Sequence, residues 1–229
     1  TGEAGEGGIS EERWIRYFRP VEPQSDLIGR KNEIAGVMRV LCRKTKSNAL
    51  LVGGRGVGKT AVARGIASPE KLKGCSLMEL NTAMLLSGTQ YRGDLEGRVQ
   101  NVMDAVAQEE EVIVYIDELR SLGGMSKMED GSKDILSLLI PYFKSGNIKF
   151  IISATPEDIK RLNSTDNGAA GLFRQVDIDE PGDDDAEKIL KGILPGLSEY
   201  HGVSYDKDTI PHAISMSRRY ILDRCLPDK

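Results

Sequence analysis

The chain has 229 residues, of which 39% are hydrophobic and 29% are charged, and its net charge at pH 7 is −4. This is the composition of a globular protein with room for one large domain, or for one domain and part of another. The acidic balance argues against a nucleic-acid-binding surface, which would need a basic stripe, and no apolar run approaches the roughly 20 residues of a membrane span.

The cysteines and the N-terminus indicate the compartment. Cys42, Cys75 and Cys225 are an odd number of thiols without metal-ligand spacing, which is typical of reduced thiols in the cytoplasm or in the matrix of a plastid or mitochondrion. The first eight residues are small and polar and do not resemble a signal peptide, so we expect a protein that is not secreted. The chain begins without Met, so we also expect a processed product or a piece of a longer protein.

Along the chain, the predicted elements alternate between helix and strand. Residues 1–25 are predicted to be an N-terminal extension and linker, with a short helix over 11–18 that Pro20 stops. A helix is expected over 31–44 from the apolar face that it forms. Five strands are expected, separated by helical stretches, over residues 49–52, 76–80, 112–116, 149–153 and 175–178. This alternation predicts an α/β fold in which helices cover both faces of a parallel five-stranded sheet.

The pattern changes after an acidic break at residues 182–185. From Ala186 onward the sequence predicts helices only. We therefore place a boundary near residue 182, which separates an α/β unit over residues 26–181 from a helical unit over residues 182–229.

A complete phosphate-binding loop follows the strand predicted over 49–52. It fits the pattern G-x-x-x-x-G-K-[ST] with the residues Gly53, Gly54, Arg55, Gly56, Val57, Gly58, Lys59 and Thr60. The glycines let backbone N–H groups turn toward a phosphate, and the helix predicted from Ala61 adds its dipole and free N–H groups. Lys59 would reach the β- and γ-phosphates of ATP, and the Thr60 hydroxyl would hold Mg²⁺. The alternative is a glycine-rich turn before an ordinary helix, which the strand and helix on either side disfavour.

Two carboxylates, Asp117 and Glu118, end the apolar run over 112–116. The carboxyl end of a parallel strand is where such sheets place their ligands. Asp117 would support Mg²⁺ through water, and Glu118 would orient and deprotonate an attacking water. Two adjacent acids alone would indicate only a solvated strand end, but downstream of a phosphate loop they favour hydrolysis over binding alone. A glycosidase site with paired carboxylates is also conceivable, and no other feature supports it.

Thr155 follows the strand predicted over 149–153. Its side chain would contact the γ-phosphate or the attacking water, or it would simply terminate the strand before Pro156. The pattern alone favours neither role.

Besides the phosphate loop, four blocks of the sequence resemble Clp-type AAA+ unfoldases. They read DLIGR, VLCRKTKSN, YRGDLE and RYILDRCLPDK, at residues 26–30, 40–48, 91–96 and 219–229. The blocks occur in the order that the first ATPase module of these proteins has, and they are most similar to the ClpA/ClpB/ClpC group. The resemblance covers the chain from about residue 26 to residue 229.

The resemblance implies a ring-shaped hexamer that uses ATP to pull polypeptides through a central pore. It assigns residues 26–181 to a Rossmann-like large subdomain and residues 182–229 to the beginning of a small helical lid. Ile28 and Gly29 match positions beside the adenine, and Thr155 matches the polar residue called sensor 1. The implied partners are other Clp ATPase subunits in a homo- or hetero-hexamer, unfolded protein clients and a Clp protease core, with no nucleic acid and no membrane.

By the same resemblance, Tyr91, followed by Arg92 and Gly93, matches the tyrosine of a pore loop that grips an extended polypeptide. An aromatic face binds many side chains with little demand on their identity. The alternative is a tyrosine packed at the start of a helix, and the polar residues 87–90 before it favour an exposed loop. Residues 123–127 resemble a second pore loop.

One departure from the family concerns two adjacent arginines that complete the ATP site of a neighbouring subunit. They align here with Gly171 and Leu172, although Arg174 would replace them after a small shift in register. Arginine fingers contribute roughly 10³–10⁵ in rate in related chemistry. Two hypotheses follow. The chain is either part of a working motor or a regulatory module that binds ATP and hydrolyses it slowly. A mixed ring, in which normal subunits supply the arginines, would reconcile the two. A small-molecule kinase shares the loop, but neither an Arg-rich lid nor an acceptor site is visible.

Overall fold

A mixed six-stranded sheet forms the centre of the computed structural model, which describes residues 14–24, 27–89, 91–109, 111–123, 135–165 and 169–229. The strands are β1 (Phe18–Pro20), β2 (Asn48–Val52), β3 (Ser76–Leu80), β4 (Val112–Ile116), β5 (Lys149–Ala154) and β6 (Phe173–Asp177). Their order in the sheet is β1-β3-β4-β5-β2-β6. All neighbours are parallel except β1 and β3. The α/β fold predicted from the sequence is thereby confirmed.

Helices lie between the strands and follow the last one. They are α1 (Lys31–Leu41), α2 (Lys59–Ile66), α3 (Pro69–Leu72), α4 (Thr82–Leu86), α5 (Arg92–Val106), α6 (Ile135–Ser145), α7 (Pro156–Thr165), α8 (Asp183–His201) and α9 (Thr209–Tyr220). Three short 3₁₀ helices occupy Ile15–Tyr17, Leu119–Leu122 and Ala169–Leu172. None of the helices in the described ranges has the length and apolar character that a membrane span requires.

The sheet is buried on both faces because its central strands are continuous apolar runs. One apolar cluster includes Val99, Leu139 and Phe150, which come from α5, α6 and β5. A second cluster on the other side includes Val37 and Val62, from α1 and α2. The two clusters hold β2, β4 and β5 rigidly, so that their carboxyl ends meet at one edge of the sheet.

The structure differs from the sequence prediction at the N-terminal edge of the sheet. In the described part of the helix predicted over 11–18, Trp14 is α-helical and Ile15–Tyr17 form a 3₁₀ helix. Phe18 then begins an antiparallel edge strand, the sixth of the sheet. Trp14, Tyr17 and Phe18 are buried there, so their packing overrides local helix propensity. Pro20 ends a strand instead of a helix, which an edge strand tolerates. Residues 1–13 lie outside the described part of the chain.

The helical unit over residues 182–229 packs α8 against α9 around its own small core. That core contains Ala186, Ile210, Ile214 and Leu226. Arg218 and Asp183 form an ion pair of 2.6 Å that ties the two helices together on the surface. Because this core is separate from the two beside the sheet, the unit depends on a few specific contacts for its placement.

Glu180, which follows β6, makes one of these contacts with the C-terminal end of the unit. Its Oε1 accepts a hydrogen bond from the Leu226 N–H at 2.9 Å and lies 2.9 Å from Lys229 Nζ. Burial disfavours the Glu180 carboxylate, but the Leu226 N–H and the Lys229 ammonium outweigh this effect, and the pKa of Glu180 is lowered. The carboxylate therefore joins the helical unit to the sheet.

We expect Glu180→Gln to lower the free energy of unfolding by about 1–2 kcal/mol at pH 7, because a charge-assisted contact is lost. A lowered folded-state pKa gives stability that is present above the ordinary value of 4.5 and is lost as the pH falls through the folded pKa. Urea unfolding at pH 7 and pH 3.5 should therefore show a difference that shrinks in acid. Glu187→Gln, in an exposed pair with Lys191, is the control. A pH-independent difference would contradict the assignment.

Candidate functional site

The phosphate-binding loop connects β2 to α2, and its geometry places the start of α2 toward the open edge of the sheet. Gly58 caps the helix with φ +100°, a left-handed conformation that side chains rarely adopt. The helix begins at Lys59, so the N–H groups of its first turn have no carbonyl partner within the helix. Such a turn is a preformed anion site.

Lys59 folds back over the loop. Its Nζ donates hydrogen bonds to the carbonyl oxygens of Gly53 at 2.8 Å and Gly54 at 2.7 Å. Burial lowers the pKa of Lys59, and the nearby charges of Asp117 and Glu118 partly oppose this effect. Both of these acceptors are neutral, and a partly desolvated ammonium group gains from an anionic ligand.

Arg30 connects the phosphate-binding loop to the segment that follows β6. Its guanidinium donates to the carbonyl oxygens of Val57 at 2.9 Å and Asp179 at 2.8 Å, and it pairs with Glu33 at 2.8 Å. Arg30 is only 7% exposed, and Val57 belongs to the apolar core. Arg30 therefore ties the phosphate-binding loop to the segment that follows β6.

Asp117 lies directly opposite Thr60. The Thr60 hydroxyl is 3.3 Å from both carboxylate oxygens of Asp117, and the Tyr115 hydroxyl donates to Asp117 Oδ1 at 2.7 Å. Burial and the Asp117 charge raise the pKa of Tyr115, so its hydroxyl stays protonated as a donor. The Tyr115 hydroxyl also forms a hydrogen bond of 3.0 Å with Ser153 Oγ on the neighbouring strand β5. A hydroxyl and an oriented carboxylate form an oxygen donor set of the kind that Mg²⁺ prefers, so the residues fit that ion.

Glu118 has an unusual backbone conformation. Its φ of +69° and ψ of 105° are rare for a residue with a side chain, and such strain is concentrated at functional sites. The conformation directs the chain away from β4, and 63% of the Glu118 side chain is exposed. Its carboxylate oxygen Oε2 lies 3.9 Å from Arg120 Nε.

Thr155 caps α7. Its N–H donates to Asp158 Oδ2 at 2.9 Å, and its hydroxyl accepts a hydrogen bond from the Asp158 N–H at 3.3 Å. Both residues are buried, with exposures of 7% and 2%. Thr155 thus ends the strand and also lines the cavity described next, so the structure is compatible with both roles considered from the sequence.

These groups share a cavity of about 1300 Å³ between the sheet and the helical unit. Among its lining residues are Arg55, Gly56, Gly58, Lys59, Thr60, Ala61, Asp117, Glu118, Arg120, Thr155 and Asp158. Apolar side chains of α8 line it as well, namely Ile189, Ile193 and Leu197. A polar end beside an apolar wall suits a ligand with a phosphate tail and a flat ring.

Ile28 and Gly29 are not among the cavity's lining residues. They lie against α8, where a Cβ built on Gly29 would be 3.3 Å from Asp185 Oδ2. Gly53, Gly54 and Val57 belong to the loop but likewise do not line the cavity. The neighbouring Asp26 lies outside the described residues.

The C-terminal segment of the helical unit covers the phosphate-binding loop. The Cys225 N–H donates to the Arg55 carbonyl oxygen at 2.8 Å. A Cβ built on Gly54 would lie 2.5 Å from Cys225 Sγ, so a side chain at position 54 would collide with this segment. Burial and the charge of Glu180 raise the pKa of the Cys225 thiol. The loop and the helical unit are therefore in direct contact.

Tyr91 immediately precedes α5 and is 73% exposed. Its N–H donates to Asp94 Oδ2 at 3.2 Å, which fixes the backbone at the start of the helix. The space beside Gly93 is open. The ring is thus displayed at a helix start without being packed there, and it lies away from the lining of the cavity. Gln90, the side chain of Arg92 and residues 124–127 of the second predicted pore loop lie outside the described part.

Sequence reasoning missed three groups that the structure places around the carboxylates, namely Tyr115, Arg120 and Asp158. Asp158 had a local signal, since Thr155 and Asp158 fit the [ST]-x-x-[DE] pattern of a helix cap. Tyr115 and Arg120 had none beyond their proximity to Asp117 and Glu118. Gly171 and Leu172, which align with the family's arginine pair, lie in a 3₁₀ helix, and the Arg174 side chain after them is exposed.

The fold and the site define a P-loop nucleotide-binding module with a helical C-terminal unit. The chain matches the family described as "ATPase family associated with various cellular activities (AAA)" over residues 49–176, which is more than half of its length. It matches the AAA lid domain over residues 182–229. The chain therefore belongs to the AAA ATPase family.

Relatives of this chain include Clp proteins. It is 38% identical over 236 residues to the ClpA homolog protein of Fuscovulum blasticum, a match that covers 100% of this chain and 30% of that protein. It is 39% identical over 214 residues to the chloroplastic chaperone protein ClpD2 of Oryza sativa subsp. japonica, with coverage of 89% and 23%. These matches confirm the predicted resemblance, and the chain spans less than a third of either relative.

The fold is also that of a solved Hsp104 structure. A closed-state cryo-EM structure of Hsp104 with ATPyS and FITC casein has a TM-score of 0.81 and 29% sequence identity to this chain. The match covers 94% of this chain and 39% of that chain. The match thus extends over both the sheet and the helical unit of this chain.

Proposed function

We propose that this chain is the ATP-binding and ATP-hydrolysing module of a Clp-type unfoldase. The observation that carries the proposal is the meeting of Lys59, Thr60, Asp117 and Glu118 at one cavity between the sheet and the helical unit. A phosphate-binding loop alone supports binding, whereas an exposed carboxylate beside it supports activation of water. Residues 26–181 would form the large subdomain and residues 182–229 the beginning of the lid.

Each residue has a distinct task in this mechanism. Lys59 and the N–H groups at the start of α2 bind the phosphates, and Thr60 with Asp117 would hold Mg²⁺, while Tyr115 orients Asp117. When bound, Mg²⁺ neutralises charge on the phosphates. Glu118 orients a water molecule and accepts its proton as the water attacks the γ-phosphate. Thr155 would contact the γ-phosphate or that water from the neighbouring strand end.

The remaining cofactor contacts follow from the shape of the cavity. The apolar side chains of α8 would pack against the base of the nucleotide, with Ile28 and Gly29 supporting α8 from behind. The backbone of Arg55, Gly56 and Gly58, which lines the cavity, would contact the phosphates, continued by Ala61 in the helix. Gly53, Gly54 and Val57 would shape the loop behind them. ATP would thereby touch both the sheet and the lid.

We propose that the energy of ATP hydrolysis is used to thread polypeptides. Tyr91, Arg92 and Gly93 would form the loop that grips the client, supported by the exposure of the Tyr91 ring and by the presence of casein in the Hsp104 structure. The proposed partners are other Clp ATPase subunits in a hexamer, unfolded clients and a Clp protease core. The proposed compartment is the cytoplasm or an organelle matrix, which the chloroplastic relative supports.

Steady-state ATP hydrolysis against protein concentration, with the full-length protein, tests the proposal. Turnover per subunit should rise with concentration, because a finger from one subunit completes the site of its neighbour. Arg174 would supply the finger here in place of the arginines absent at 171 and 172. Tight ATP binding with negligible turnover at every concentration would instead indicate a regulatory subunit. Absence of ATP binding would contradict both functions.

We expect Tyr91→Ala to weaken binding of an unfolded polypeptide about tenfold or more, because the exposed ring supplies much of the contact. Fluorescein-labelled casein in the presence of a slowly hydrolysed ATP analogue provides the measurement, by fluorescence anisotropy. Tyr91→Phe keeps the aromatic face and should retain most of the affinity, and both variants should bind nucleotide normally. Equal casein affinity for wild type and Tyr91→Ala would remove Tyr91 from the proposed pore loop.

A further inference from the structure

Arg120 lies between two carboxylates that line the cavity, those of Glu118 and Asp158. It lies in the 3₁₀ helix Leu119–Leu122, two residues after Glu118, and lines the same cavity. One terminal nitrogen of its guanidinium is 3.5 Å from Asp158 Oδ1, and its Nε is 3.9 Å from Glu118 Oε2. One cation thus faces both carboxylates.

The two ends of this bridge differ in their freedom to move. The Asp158 side chain is 2% exposed, and its other oxygen accepts the hydrogen bond from Thr155, so Asp158 is fixed at the start of α7. The Glu118 side chain is 63% exposed and extends from a strained backbone. Asp158 therefore holds the Arg120 guanidinium in place, and the guanidinium restricts the movement of the Glu118 side chain.

The contact with Glu118 is incomplete in this structure. Arg120 Nε is buried and has no hydrogen-bond partner among the described residues. Its distance of 3.9 Å to Glu118 exceeds the roughly 2.7–2.9 Å of a charge-assisted hydrogen bond. A small rotation of the Glu118 side chain would satisfy both groups, and a loose, half-exposed pair adds little to folding stability.

We propose that Arg120 is a positioning residue that orients the Glu118 carboxylate and connects it, through Asp158, to the strand end at Thr155. The inference rests on the proposed role of Glu118 as the base. An exposed carboxylate without this contact samples many rotamers, and a base must lie within hydrogen-bond reach of the water that it deprotonates. Arg120 thus acts on the reaction through Glu118, and the four residues form one chain from the base to the end of β5.

The test measures kcat and KM for ATP with the full-length protein carrying Arg120→Gln or Arg120→Lys. Because Arg120 acts on the base, Arg120→Gln should lower kcat about tenfold, with KM changed less than about twofold. Arg120→Lys keeps a cation near Glu118 and should recover the larger part of kcat. In a variant that already carries Glu118→Gln, the loss of Arg120 should cost nothing further.

Arg19→Gln is the matched control, since it removes an arginine of the edge strand β1 that pairs with Glu79 and does not line the cavity, and it should leave kcat unchanged. If Arg120→Gln alone unfolds, the double variant Arg120→Gln/Asp158→Asn removes both charges and carries the same test. A raised KM with unchanged kcat would show that Arg120 binds nucleotide directly, and unchanged or faster turnover would also overturn the inference. A wild type without turnover would overturn the proposed function itself, which separates the two failures.

Discussion

Lys59→Ala should abolish nucleotide binding. Hydrogen bonds to charged groups each contribute about 1.5–3 kcal/mol, so loss of contacts to two phosphates should weaken affinity about a hundredfold or more. The loop would also change, because Lys59 Nζ bridges the carbonyl oxygens of Gly53 and Gly54. Titration with fluorescently labelled ATP provides the measurement.

The control for Lys59 is Lys191→Ala on α8. Lys191 is exposed and pairs with Glu187 at 2.7 Å, so its removal should leave the affinity for ATP unchanged. Thermal unfolding of both variants separates lost binding from lost folding. A folded Lys59→Ala protein that binds ATP like the wild type would show that the phosphates lie elsewhere.

Glu118→Gln should bind ATP with wild-type affinity and fail to hydrolyse it. The amide keeps the size and a hydrogen-bonding oxygen of the carboxylate but cannot accept a proton from water. General-base catalysis contributes roughly 10²–10⁴ in rate, so kcat should fall by that factor. Phosphate release under steady-state conditions and ATP binding by titration together make the measurement.

Glu79→Gln is the matched control for this charge change. Glu79 pairs with Arg19 of the edge strand β1 and does not line the cavity, so its neutralisation should not affect turnover. Hydrolysis at a wild-type rate in Glu118→Gln would mean that another group, such as Asp158 or a second subunit's residue, removes the proton.

The sequence predicted the parts of the fold that local patterns determine. The strands over 76–80 and 112–116 were predicted with the bounds that the structure shows. The continuous apolar run over 112–116 specifies a buried parallel strand. The phosphate-binding loop was also predicted, because its glycine spacing is a local pattern of the sequence. By contrast, β1 was missed, because its pairing with β3 and the burial of Phe18 involve residues about 60 positions away.

Contacts between distant segments also limited what could be predicted of the site. Nothing in the spacing of residues indicates that Cys225 lies over Gly54, or that Asp158 and Arg120 meet, since each pair joins elements far apart in the chain. The helix cap at Thr155 is local, and its pattern was present in the sequence. The contacts between distant segments, by contrast, form only in the folded chain, where the sheet brings its strand ends to one edge.

The hydrogen bond between Cys225 and the Arg55 carbonyl has a mechanical consequence. It attaches the phosphate-binding loop to the helical unit, whose longest helix is α8, with 19 residues and a length of about 28 Å. A tilt of about 5° at this attachment displaces the far tip of an arm of that length by about 2.5 Å. A small rotation at the phosphate-binding loop would thus move the far end of a helix of this length by about the width of a side chain.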